Sequence, residues 1–141
     1  MIAVVDASVA IKWFLHGNPD AQHTDLALRL LEQSVLGFLP MVQPGHFVAE
    51  VAAVLARLKP ADAQDDLIDL LEISHRTLTS PEIYATALDL AVRHQHHLFY
   101  TLYHAVALHT PDAVLVTADE RYYNKSRLEG QIILLADFTS V

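Results

Sequence analysis

A chain of 141 residues, 52 % hydrophobic with only four glycines and six prolines, suits one packed interior and is too short for two full cores. It has no cysteine, which excludes disulfide staples and zinc–thiolate sites and fits a reducing, cytoplasmic setting. The formal net charge of -8 excludes bulk attraction as a way of holding a polyphosphate, so metal ions or local basic patches would have to overcome that field; the same charge suits a basic protein partner.

The opening MIAVVDASVAIKWFL is apolar, but it lacks a basic start, Asp6 and Lys12 interrupt it, and no small-residue cleavage site follows. It reads as structure, not as a signal peptide, and no apolar run is long enough to span a bilayer. Ile2 to Val5 is a β-branched run closed by Asp6 and Ser8, which predicts a buried strand feeding a helix. That helix runs from about Ser8 to the turn signal His16-Gly17-Asn18-Pro19. Asp20 to Leu36 carries Leu26, Ala27, Leu30 and Leu31 at helical spacing, with Gly37 as its stop. Phe38 to Val42 predicts a second strand. From about Gly45 a helix puts Val48, Val51, Ala52 and Leu55 on one face, until Pro60.

Asp62 to Ser74 and Pro81 to His94 predict further helices, the second with Thr79 or Ser80 as cap and Pro81 in the first turn. Tyr100 to His109 is helical in pattern, Ala113 to Thr117 is a strand, a short helix follows Ala118-Asp119-Glu120, and Ile132 to Leu135 is a last strand. Apolar strands separated by helices predict an α/β fold, a mainly parallel sheet with helices on both faces.

In open α/β sheets ligands bind beyond the carboxyl ends of the strands. Asp6 follows the first strand and Asp119 stands two residues beyond Thr117, each after a strongly apolar strand. Both also suit the role of helix N-cap. Glu50 lies among Phe47, Val48, Ala49, Val51, Ala52, Ala53 and Val54, and no Lys or Arg stands one helical turn away. Carboxylates gathered at one place repel unless a cation sits between them, and hard oxygen donors without cysteine select Mg²⁺ or Mn²⁺. Convergence of Asp6, Glu50 and Asp119 on one pocket at the sheet edge is therefore expected.

Four segments then resemble the signature blocks of the PIN domain family, in order: VVDASVAIKWF (Val4 to Phe14), PGHFVAEVAAVLAR (Pro44 to Arg57), LFYTLYHAVAL (Leu98 to Leu108) and VLVTADERYY (Val114 to Tyr123). The closest subgroup in character is the VapC toxins of toxin–antitoxin pairs. The resemblance covers essentially the whole chain. It implies a single PIN domain over residues 1–141, a three-layer α/β/α architecture, a Mg²⁺- or Mn²⁺-dependent endoribonuclease acting on single-stranded RNA, a homodimer, and inhibition by a small cognate antitoxin. By position it assigns Asp6, Glu50 and Asp119 as catalytic, metal-holding acids, with Ser8 and Thr117 as accessory hydroxyls.

One departure stands out. The third block should carry Asp after its aromatic residue, and here Phe99 is followed by Tyr100. A neutral phenol, with a pKa near ~10, is a poor ligand for a hard cation. The metal site should be weaker, and a catalytically silent PIN fold that binds antitoxin or RNA is the alternative. Ala53, where the family often has Asn, is a lesser departure. A phosphotransferase using Asp6 as nucleophile fits poorly, since Ser8 stands where a second Asp is needed.

Among the nine histidines, His96 and His97 read as surface residues in a polar turn, and His104, one turn beyond Tyr100, as structural. Arg121, Lys125 and Arg127 form a small basic stretch that suits RNA phosphates or a solvated helix face alike. Trp13 and Phe14 read as core or interface.

Overall fold

Residues 1–15 and 17–139 are described by the computed structural model. Its first strand, β1 (Ile2–Val5), buries Ala3, Val4 and Val5 without alternation, because both faces of the sheet are covered. The chain then forms α1 (Ala7–Ala10), a 3₁₀ turn over Ile11–Phe14, and α2 (Thr24–Val35). β2 (Val42–Gln43), α3 (Phe47–Leu58), α4 (Ala63–Glu72), β3 (Arg76–Thr77), α5 (Pro81–His94) and α6 (Leu98–Leu108) follow. β4 (Ala113–Thr117), α7 (Glu120–Ser126) and β5 (Ile132–Leu134) complete the alternation.

β4 lies between β1 and β5, parallel to both, with Val5 opposite Val116 and Thr117 opposite Leu134. This register brings the ends of β1 and β4, and so Asp6 and Asp119, to the same edge. α6 packs on β1 and β4 and is covered in turn by α5. The result is the three-layer α/β/α arrangement that alternating apolar strands and helices predict.

Several expected boundaries move. The helix from Ser8 is a single α-turn that tightens into the 3₁₀ turn, with Trp13 buried and its Nε1 donating to the Ala27 carbonyl at 2.9 Å. His16, at the expected helix end, lies outside the described residues. α2 begins at Thr24, not Asp20, after His23 in the left-handed region, φ 57°. The run Phe38 to Val42 gives little strand. Phe38 is exposed, Met41 only bridges Ala3, and the pairing that remains joins β2 to β3.

Beside that bridge and the Ala3 N–H donating to the Pro40 carbonyl at 2.9 Å, a side chain binds this second segment to β1. Gln43 is fully buried, and its Oε1 accepts from Val5 N at 3.0 Å while its Nε2 donates to Val5 O at 2.9 Å. A glutamine amide thus stands where a neighbouring strand's peptide would. α5 matches expectation to the residue: Ser80 Oγ accepts from Ile83 N at 3.1 Å, Pro81 opens the first turn, and Gln95 closes it at φ 50°.

Candidate active site

Asp6 is the residue after β1 and the N-cap of α1. Its Oδ1 accepts from Ser8 N at 3.0 Å, from Val9 N at 3.3 Å and from Ser8 Oγ. Its Oδ2 accepts from Thr117 Oγ1 at 2.5 Å. The side chain is only 2 % exposed, and burial outweighs these donors, pushing its pKa up to about 6; the charge of Glu50 adds to the rise.

The two hydroxyls join the strand ends. Ser8 Oγ accepts from Ala118 N at 3.0 Å, and Thr117 Oγ1 accepts from Asp119 N at 3.1 Å while donating to Asp6. Asp119 is itself the N-cap of α7, its Oδ1 accepting from Tyr122 N at 3.0 Å. Both strand-end acids are therefore helix caps, and each keeps a second oxygen turned to other partners.

Glu50 sits in the first turn of α3, half-buried. His46, four residues earlier, places its Nε2 3.2 Å from Glu50 Oε2. That imidazole nitrogen also lies 2.9 Å from the Phe99 carbonyl, so the network assigns it the proton. Glu50 Oε2 and His46 Nδ1 are both buried without a hydrogen-bond partner. Among the described residues no Lys or Arg pairs with Glu50, as the helical spacing predicts; its neighbour one turn back is this histidine.

Across the site His96 is not a surface residue. Its side chain is 8 % exposed, its ring lies 4.8 Å from that of Tyr122 and 5.0 Å from that of Tyr100, and its Nε2 is 3.4 Å from Asp119 Oδ2. Lys125 Nζ stands 3.3 Å from His96 Nδ1 and donates to the Gln95 carbonyl at 3.0 Å. Burial, joined by Lys125, holds the imidazole below its ordinary range despite the pull of Asp119. Only the tertiary fold reveals this contact, since the turn after α5 carries His96 to α7.

Tyr100 lies on α6 between these groups. Its phenol is pushed above the ordinary tyrosine range, first by burial and then by the charges of Asp119, Glu50 and Asp6, with Arg57 opposing. All three carboxylates thus act on one hydroxyl. His104 is structural: fully buried, it shares hydrogen bonds with Tyr122 OH and the Gly130 carbonyl, each at 2.8 Å.

Residues 3–128 match the family described as the PIN domain. The chain belongs to the PIN domain family. PIN domains are generally divalent-metal-dependent nucleases. No curated protein matches the chain.

In this PIN domain no three acidic or histidine side chains among the described residues stand close enough to form a metal cage. The donor chemistry nonetheless fits a hard divalent cation. The oxygens are carboxylate, Glu50 Oε2 is a buried acceptor without a hydrogen bond, and the charge of Glu50 raises the cost of ionising Asp6, which a cation would relieve. Mg²⁺ usually keeps several waters and takes one or two carboxylates plus substrate phosphate. That mode needs no three-ligand cage, and Asp6 and Asp119, with Glu50 nearby, would supply it.

Proposed function

We propose that this PIN domain is a VapC-type toxin ribonuclease acting on single-stranded RNA, with a Mg²⁺ or Mn²⁺ site weakened by Tyr100. The observation that carries the reading is the strand-end pair Asp6 and Asp119, joined through the Thr117 hydroxyl at one edge of the sheet in a PIN domain, with Tyr100 where the PIN pattern calls for a fourth carboxylate. When bound, a divalent cation would supply the positive charge that steadies charge developing on a phosphodiester. The chain's own residues do the rest. Thr117 and Ser8 orient Asp6, the Thr117 hydroxyl and the α7 cap orient Asp119, and burial keeps the Tyr100 phenol protonated, a hydrogen-bond donor and not an anionic ligand.

The acidic surface suits a cognate antitoxin carrying a basic segment, an arginine of which would take the place of the cation among the carboxylates. A homodimer in the cytoplasm completes the proposal; among the described residues no helix is long and apolar enough to cross a membrane.

A second reading, a catalytically silent binding module, draws support from the histidines. His46 beside Glu50 and His96 beside Asp119 already give two of the carboxylates a polar neighbour. One experiment separates the two. Tyr100→Asp and the unaltered protein are assayed for cleavage of single-stranded RNA across Mg²⁺ and Mn²⁺ titrations, with Asp6→Ala as blank. The ribonuclease reading expects tighter metal binding and faster cleavage in Tyr100→Asp. Equal rates for both proteins, each above the blank, would show that position 100 is not a ligand position. No cleavage by either leaves the binding module.

A further inference from the structure

Beyond Glu50, the outer face of α3 opens into a groove of about 470 Å³ lined by His46, Ala49, Glu50, Ala53, Arg57 and Phe99. Its floor is apolar, formed by Ala49 and Ala53, one turn apart and exposed, which carry nothing past Cβ, and by the partly buried Val54. Its wall is aromatic. Phe99 remains 49 % exposed, yet its ring is fixed between two imidazoles, His46 at 5.1 Å and His97 at 4.7 Å between centroids. The contact of His46 Nε2 with the Phe99 carbonyl ties this wall to α3. At the far end stands Arg57, which has no carboxylate partner within salt-bridge distance among the described residues and whose charge reaches Tyr100.

The groove therefore joins Glu50 at one end to a guanidinium without a carboxylate partner among the described residues at the other, with an apolar slot between. A ligand matching it has a planar, stackable body and an anion attached. A purely aliphatic side chain fills the slot and leaves the guanidinium unused. In a chain of net charge -8, a cation beside the acids is also what a phosphate needs in order to approach. We propose that this groove is the subsite for one unpaired nucleotide of single-stranded RNA, its base stacked on Phe99 over Ala49 and Ala53 and its phosphate paired with Arg57. The inference rests on the RNA reading given above. Stacking on an aromatic side chain tolerates any base, so the subsite positions the strand without selecting sequence.

The test is binding, separated from cleavage by a chelator. A short single-stranded oligoribonucleotide carrying a fluorescent aminopurine is titrated with the unaltered protein, Phe99→Ala, Phe99→Leu and Arg57→Ala, each checked for fold by circular dichroism. Stacking quenches the aminopurine, so the unaltered protein should quench it and both Phe99 variants should not. Phe99→Ala should bind about tenfold more weakly, on the scale of one lost base–aromatic stack, with its salt dependence unchanged. Arg57→Ala should also bind more weakly, and its slope of log affinity against log salt should flatten by about 0.7, one phosphate contact on a single strand. RNA binding indifferent to all three substitutions overturns the subsite and leaves the RNA reading standing. Failure of the unaltered protein to bind RNA, with or without added Ca²⁺, overturns both.

Discussion

Asp6 is where the fold gives up stability to a buried carboxylate. Its pKa rises from 3.8 in the unfolded chain to about 6 in the folded one, because burial costs the anion more than its four donors return. The folded protein thus holds a proton that the unfolded chain gives up between those values. The stability this provides is fully present below pH 3.8 and lost as pH rises through about 6. At neutral pH the buried charge costs roughly 3 kcal/mol. Asp6→Asn keeps an oxygen for Ser8 and Val9 and removes the charge. Its urea midpoint should exceed that of the unaltered protein at neutral pH and converge with it near pH 4 (about the unfolded pKa). Parallel curves across that range would show that Asp6 is not the titrating group. Thr117→Val acts in the opposite sense. It strips the donor from Asp6 Oδ2 and the acceptor from Asp119 N, and should cost roughly 2 kcal/mol in the same denaturation measurement.

At the scale of elements, β1 is held by β4 on one side and by the Gln43 side chain on the other, beside the single Ala3–Met41 bridge. Gln43→Leu fills similar space but leaves the Val5 N–H and C=O unpaired in the interior, costing roughly 2–4 kcal/mol. Hydrogen exchange at the Val5 amide should quicken by more than the global loss of stability explains; equal protection would mean that the backbone closes the gap without the side chain. This contact also marks where the sequence stops being legible. β4 and α5 could be read from local signals, a short Val-rich apolar run in one and a Ser-Pro start in the other. Asp6 and Asp119 could be placed at strand ends for the same reason. Gln43 gives no local sign of standing in for a strand, since its partner Val5 is 38 residues away. His96 likewise meets Asp119 only because the α5–α6 turn is folded against α7. The short pair β2–β3 carries no periodicity to read, and α2 starts late because residues 18–23 satisfy their backbone in local turns.

For the whole molecule the question is what covers its apolar exterior. On α5, Tyr84, Leu88 and Val92 recur every four residues and are exposed, Val92 to 76 %, forming one stripe along a helix about 21 Å long. Three aligned large apolar side chains on one exposed helix are the kind of surface that marks an interface. Two copies of α5 laid antiparallel would bury both stripes. The proposed homodimer is therefore expected to use this face. Leu88→Arg and Val92→Asp replace solvent-facing groups, so each should change the stability of the isolated fold by no more than about 0.5 kcal/mol. Sedimentation velocity should show the unaltered protein as a dimer and either variant shifted to monomer, with unchanged circular dichroism. A variant that stays dimeric removes α5 as the interface, and an unaltered protein that is monomeric at high concentration removes the dimer itself.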